Sequence, residues 1–359
     1  MSDTGWQMKN NSIKEKKEQR IEHKKGDELL KIEDLSVEYT SGKKVVHAVN
    51  GVSFELRSGE SMALVGESGC GKSTIAKAIL RILPDKGARI SGGHIFFEGR
   101  DLTVLDKTEL LDIRGARISM AFQDPMTALN PVKRVVDQVA AVIRLHHPEL
   151  SKKEAAEQGI KMLETVGIHR ERVKDYPHQF SGGMQQRVVV AIALSCRPDL
   201  LLADEPTTAL DVTIQAQVLR LIKKLVTENN TALLLITHNL GIVAETCDKL
   251  AVIYGGEIVE YGTKEEVFLD PSHPYTIGLF GALPDMKKKG KRLTPIEGIM
   301  PEPSDLPPGC KFHTRCPYAT DVCKEGAVPL RELGGNHICF CHNYETVREA
   351  EARKREEEA

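Results

Sequence analysis

From Leu30 onward, apolar and polar residues alternate through KIEDLSVEYT and, past a turn at Gly42, through HAVNGVSFEL. This two-residue period predicts strands with one buried face. A shorter, unbroken apolar run, SMALV, follows Gly59 and predicts a strand buried on both faces. It leads directly into GESGCGKST and then IAKAILRIL, whose apolar spacing is helical. Two further buried strands are predicted, LLLAD at 200–204 and TALLLIT at 231–237. Between them lies DVTIQAQVLRLIKKLVTEN, in which Val218, Ile222 and Leu225 share one helical face. Strands alternating with helices predict parallel βαβ construction. Residues 131–179 carry helix-like runs and no convincing strand, so a helical insert is expected within the α/β body. LAVIYGGEIVEYG predicts a hairpin about Gly255 and Gly256.

The ends have a different character. Beyond Tyr275, prolines at 284, 295, 301, 303, 307 and 308 interrupt regular structure and mark an appendage. ETVREAEARKREEEA reads as a charged, solvent-exposed helix or tail. Residues 1–28 mix Lys9, Lys14, Lys16, Lys17, Arg20, Lys24 and Lys25 with acids and few apolar groups, as a disordered tail or loose helix does. The length of 359 residues accommodates about two domains, or one large domain with an appendage. With 49 Lys and Arg against 51 Asp and Glu, the formal charge is −2, so no whole-molecule field attracts nucleic acid or anionic lipid. No stretch has the ~18 to 20 consecutive apolar residues needed to span a bilayer, and no signal-like segment opens the chain, so the expected compartment is the cytoplasm. Of eight cysteines, Cys310, Cys316, Cys323, Cys339 and Cys341 fall within the last 50 residues, while Cys70, Cys196 and Cys247 are scattered. In a reducing compartment such a cluster points to metal before disulfides.

Gly66 to Ser73, GESGCGKS, fits G-x-x-x-x-G-K-S between a predicted strand and a predicted helix. Such a loop aims backbone N–H groups at phosphate oxygens, and the helix N-terminus adds positive potential. Lys72 would reach the β- and γ-phosphates, and the Ser73 hydroxyl would bind Mg²⁺. Asp204 and Glu205 end the apolar run LLLAD: the first suits the Mg²⁺ shell and the second an attacking water. SGG at 181–183 supplies a helix start whose N–H groups and dipole suit a γ-phosphate.

FSGGMQQR, taken with the P-loop and LLLADEPTTALD, resembles the ATP-binding subunits of ABC transporters, over about residues 30–345. The resemblance implies an α/β P-loop NTPase cassette with an antiparallel β subdomain, a helical subdomain and a C-terminal Pro/Cys-rich extension. On that plan residues 1–28 are a tail, 29–282 the ATPase domain with the helical subdomain at about 124–182, 283–345 the extension, and 346–359 a charged tail. It implies Tyr39 stacked on adenine, with Gly66, Ser68, Gly69, Cys70, Gly71, Lys72, Ser73 and Thr74 around the phosphates. No chemistry is assigned to Cys70. Mg²⁺ would be held through Ser73, Gln123 and Asp204, and catalysis would fall to Glu205, His238 and Lys72. Ser181, Gly182, Gly183 and Met184 would address the ATP of an opposite subunit, and Asp211 would connect the two sites. Phe180 and Met184 depart from the common LSGGQ pattern.

FQDPMTALNP at 122–131, HPYT at 273–276 and PPGCKFHTRC at 307–316 are similar to the D-type ATPase subunit of dipeptide/oligopeptide importers. This implies a second, different ATPase as partner, two transmembrane permeases, an external binding protein, no nucleic acid, and a peripheral place on the cytoplasmic face of the membrane. Nickel or oligosaccharide remains an alternative cargo. A non-transport ABC ATPase fits less well: only 131 residues separate Lys72 from Asp204, too few for a long coiled-coil insert, and only one GKS loop is present. The cysteines run Cys310-x5-Cys316-x6-Cys323, then to Cys341 or Cys339, without C-x2-C knuckles. That spacing admits zinc or an iron–sulfur cluster. The family resemblance implies a 4Fe–4S cluster on Cys310, Cys316, Cys323 and Cys341, with Cys339 as the alternative ligand and Zn²⁺ or unligated thiols as alternative states. A structural staple is expected rather than electron transfer.

Overall fold

The computed structural model describes residues 23–42, 44–208, 210–282 and 295–357. Most of the expected N-terminal tail, residues 1–22, lies outside this set, as do Pro284 and residues 358–359. Strands β1 (Glu28–Ser41) and β2 (Lys44–Arg57) form the predicted pair, antiparallel and closed at Ser41 and Lys44. β1 also pairs with β4 (Ala88–Phe97), and β4 with the two-residue β5 (Arg100–Asp101), which completes a four-stranded antiparallel sheet. β4 was not legible as a strand because its Ser-Gly-Gly centre breaks the alternation.

A second sheet carries the catalytic half of the molecule. Its order is β11-β12-β10-β9-β3-β8-β7-β6, where β3 is Ser61–Val65, β6 Ile118–Ala121, β7 Leu200–Asp204, β8 Ala232–Ile236, β9 Lys249–Tyr254, β10 Glu257–Thr263, β11 Leu330–Gly334 and β12 His337–Phe340. β9, β3, β8, β7 and β6 run parallel, and β10, β12 and β11 add an antiparallel edge. Both faces of the central strands are buried: Met62, Leu64, Leu234 and Ile236 enter one apolar core, and Ala63, Val65, Leu233 and Leu235 the other. This is why SMALV and ALLLI are unbroken apolar runs.

Helix α1 (Lys72–Ile79) follows the P-loop, and α2 (Lys107–Ile113) begins at a capping box of Asp106 and Glu109. The stretch read as a helical insert contains α3 (Pro125–Ala128), α4 (Val135–His146), α5 (Lys152–Thr165) and the start of α6 (Gly182–Leu194), with no strand among its described residues. α4 buries Val135, Val136, Val139, Ala140 and Ile143 in the core shared with α6. α7 (Val212–Glu228) buries Val218, Ile222 and Leu225, the face read from the sequence. α8 (Leu240–Thr246) carries the chain from β8 past β3 to β9, and α9 (Lys264–Leu269) and α10 (Pro274–Gly281) follow β10. The Pro-rich segment is largely irregular, as expected, but it ends in the β11–β12 hairpin, which joins the main sheet at β10. α11 (Tyr344–Glu357) is the charged helix read at the C-terminus, starting two residues earlier than its expected boundary.

Candidate nucleotide site

β3 ends at Val65 and delivers the chain into the P-loop. Gly71 adopts φ 104°, and a Cβ there would lie 2.3 Å from the Ala48 carbonyl oxygen, so only glycine fits the N-cap of α1. Lys72 is buried, and its ammonium donates to the carbonyls of Gly66 and Glu67, both at 2.8 Å, which fixes it at the base of the loop. Cys70 is buried with its sulfur 3.5 Å from that ammonium, and burial pushes its thiol pKa up, so it presents no exposed group. Tyr39, on β1, reaches Thr74 with its hydroxyl at 3.4 Å, which sets its ring beside the loop.

The acidic pair stands at the end of β7. Ser73 donates to Asp204 Oδ1 at 2.8 Å, joining hydroxyl and carboxylate as a hard-oxygen set suited to Mg²⁺. Burial raises the Asp204 pKa, the Ser73 hydrogen bond opposes this, and the neighbouring Glu205 carboxylate adds to it. Glu205 sits in the left-handed region, φ 44°, uncommon for a residue with a side chain. Its N–H is tied to the Ile236 carbonyl at 2.9 Å; its Oε2 accepts from Gln123 at 3.0 Å and from Thr208 at 2.7 Å. His238, just after β8, places Nδ1 3.5 Å from Glu205 Oε1. Lys72, Ser73, Asp204, Glu205, Gln123 and His238 therefore form one cluster at the ends of four neighbouring parallel strands, β3, β8, β7 and β6, the usual place for a ligand in an open α/β sheet.

The SGG segment forms the expected helix start. Ser181 caps α6, its Oγ accepting from the Met184 N–H at 3.4 Å, and Ser181 and Gly182 are exposed. Gly183 is buried, and a Cβ on it would come within 2.4 Å of Ile214 Cγ2. Its lack of a side chain lets α6 pack on the start of α7, while Ser181 and Gly182 are exposed. Met184, where the common pattern has glutamine, lies with its sulfur 3.6 Å from Arg172, whose guanidinium stacks 4.5 Å over Phe180. Asp211 caps α7 through the Ile214 N–H at 3.0 Å.

Three groups acting on the P-loop were missed in the sequence. The Glu67 N–H donates to the Tyr275 hydroxyl at 2.9 Å, the Glu67 carboxylate accepts from Arg315 at 3.0 and 3.1 Å, and Met300 lies against Gly69. Tyr275 and Arg315 belong to the HPYT and TRC fragments already noted; their contact with the loop is not encoded in any local pattern.

Cys310, Cys316, Cys323 and Cys341 line one small cavity, together with His313 and His342. Cys339 does not line it: it is fully buried in β12 opposite Glu260. Burial raises the thiol pKa of Cys310, that of Cys316 to about 12 and that of Cys341 to about 11, with neighbouring thiols adding to each, so these groups are neutral unless a cation draws off their protons. Among the described residues no three His, Cys, Asp or Glu side chains converge closely enough to hold a single metal ion. Neither the expected 4Fe–4S cluster nor the zinc alternative is therefore shown by the described residues. No helix among the described residues is long and apolar enough to cross a membrane.

The fold and the loop–carboxylate cluster define a P-loop nucleotide-hydrolysing cassette. The ABC transporter profile matches residues 49–208, and the profile of the oligopeptide/dipeptide transporter C-terminal region matches residues 259–323. The chain is 50% identical over 299 residues to the dipeptide transport ATP-binding protein DppD of Bacillus subtilis, covering 83% of this chain and 89% of that one. It is 47% identical over 323 residues to the oligopeptide transport ATP-binding protein OppD of Escherichia coli, covering 89% and 95%. Among solved structures, the dimeric, post-hydrolysis ATP-binding cassette MJ0796 bound to ADP and Pi superimposes with a TM-score of 0.60 at 26% identity, covering 66% of this chain and 99% of that one. The chain belongs to the ABC transporter ATP-binding proteins, in the oligopeptide/dipeptide branch, and is an ATPase.

Proposed function

We propose that this chain hydrolyses ATP to drive import of di- or oligopeptides through a membrane complex, as the peptide-transport names of its relatives suggest. The observation carrying the mechanism is the hydrogen-bonded cluster of Ser73, Asp204, Glu205 and Gln123 beneath the P-loop lysine. Backbone N–H groups of the loop with Ser68, Gly69, Gly71, Lys72, Ser73 and Thr74 hold the polyphosphate, and Tyr39 takes the adenine. Lys72 exchanges loop carbonyls for phosphate oxygens, which places positive charge where the transferred phosphoryl group gathers negative charge. Ser73, Asp204 and Gln123 would hold Mg²⁺, which neutralises phosphate charge when bound. Glu205 orients the attacking water and takes its proton, and His238, beside it, meets the γ-phosphate. The strained backbone at Glu205 and its bonds to Gln123 and Thr208 hold the carboxylate in place before substrate arrives.

On this reading Ser181 and Gly182, at the start of α6, face the ATP of a second, different ATPase subunit, and Asp211 links the two sites. ATP then acts as the adhesive of the closed pair, and its hydrolysis opens it. The pair docks on two permeases at the cytoplasmic face, with a binding protein selecting cargo outside. We divide the chain into an ATPase domain at 29–282, with the helical subdomain at about 124–182, and an extension at 283–345, followed by the charged tail. Cys310, Cys316, Cys323 and Cys341, which line one cavity, would hold a 4Fe–4S cluster, and its role would be to staple the extension.

Glu205→Gln tests the mechanism. The variant retains size and a hydrogen-bonding head but cannot take a proton, so MgATP should hold the two ATPases together while phosphate release falls by at least about a hundredfold, the low end of general-base effects. Undiminished phosphate release would remove Glu205 from the reaction.

A further inference from the structure

Glu67 is the first residue after the opening glycine of the P-loop, and the chain grips it from segments 208 and 248 residues away. Its N–H is spent on Tyr275, so this donor points into protein and away from any phosphate. Its carbonyl holds the Lys72 ammonium at 2.8 Å. Its carboxylate receives Arg315 Nη1 on both oxygens. Arg315 is itself rigidly housed: its side chain is 5% exposed, Nη1 also donates to the Tyr254 hydroxyl at 3.2 Å, Nε donates to the Glu297 carbonyl at 2.9 Å, and the guanidinium lies over the Tyr254 and Phe312 rings. Arg315 immediately precedes Cys316, which lines the cysteine cavity.

We propose that Arg315 is a positioning residue for the nucleotide: by anchoring and neutralising Glu67 it keeps the mouth of the P-loop shaped and free of net negative charge. This rests on the P-loop being the ATP site. Without the guanidinium, an ionised carboxylate remains beside a loop that must accept a polyanion, and two unlike outcomes both hurt binding. The carboxylate repels the phosphates, or it turns inward and captures the ammonium of Lys72 that the phosphates need. The role is electrostatic and geometric, so it differs from a staple, which would act only through stability.

The test uses the full-length chain for MgATP titration calorimetry and the assembled transporter for ATPase kinetics, with the melting temperature recorded for every variant. Arg315→Ala should weaken MgATP binding about tenfold, the order of one hydrogen bond to a charged group, and raise KM more than it lowers kcat. Arg315→Lys, which keeps the charge and most of the packing, should recover most of the affinity; Arg315→Gln, which keeps much of the packing without the charge, should lose it as the alanine variant does and replaces that variant if it fails to fold. Adding Glu67→Gln to Arg315→Ala should restore affinity, because the unbalanced carboxylate is then gone. Unchanged MgATP affinity in Arg315→Ala overturns the proposal; so does an affinity loss that follows the loss of melting temperature and is not relieved by Glu67→Gln. Lys72→Ala is run in parallel: normal binding there defeats the ATP-site reading itself, whereas lost binding there with normal binding in Arg315→Ala defeats only the role of Arg315.

Discussion

His273 caps α10 with its ring, Nδ1 accepting from the Tyr275 N–H at 3.1 Å, and the residue is 1% exposed. Pro274 follows at the first helical position, where its missing N–H costs nothing. Burial lowers the His273 pKa to about 3. The unfolded chain therefore takes up a proton near pH 6.5 that the native protein refuses, so stability from this group is present above about 6.5 and is lost progressively as pH falls towards 3. Asparagine also caps helices and does not titrate. His273→Asn should accordingly remove about 2 kcal/mol of the stability loss between pH 6.5 and 5, measured by urea unfolding at both pH values; an unchanged pH slope would show that the ring protonates in the native state. HPYT was visible in the sequence as a family fragment, yet its physics was not: the cap is local, whereas Tyr275 owes its place to Glu67, far away in the chain.

Glu260 shows the same limit for whole elements. It lies on β10 with no exposure, accepts the N–H groups of Ser272 and His273, each at 2.8 Å, and faces His337 Nε2 on β12 at 2.8 Å. One carboxylate thus ties a sheet strand, the turn entering α10 and the last hairpin together. Glu260→Ala leaves buried donors unpaired and should cost about 3 kcal/mol; limited proteolysis should cut residues 325–336 sooner than in the wild type, and an unchanged cutting rate would show that the hairpin is held by its strand pairing alone. The central strands β3, β7 and β8 were readable because both their faces are buried, and α7 because one face is. β11 was not, since LRELG is mostly exposed and its pairing depends on partners in β12. The site followed the same division: GESGCGKS and the Asp204–Glu205 pair announce themselves, while the inward role of Gly183 and the grip on Glu67 exist only after helices and sheets have met.

At the scale of the molecule, one eight-stranded sheet carries β3 and its P-loop at the centre and the Cys339 strand near one edge. The four cavity cysteines come from the irregular segment and, with Cys341, from just after that strand. Purified without oxygen, the full chain should carry iron and sulfide with the broad visible absorbance of thiolate-bound clusters. Cys316→Ser should lose both and Cys339→Ala should keep them; colourless protein with stoichiometric zinc would reverse the assignment.

The long reach of the contacts to Glu67 also orders events in time. A ribosome releases the GESGCGKS segment long before it releases Tyr275 and Arg315, and contacts between residues so distant in the chain form late. The contacts of Glu67 with Tyr275 and Arg315 are therefore expected to form after the central strands have emerged. A chain broken off before Arg315 lacks the side chain that grips the Glu67 carboxylate.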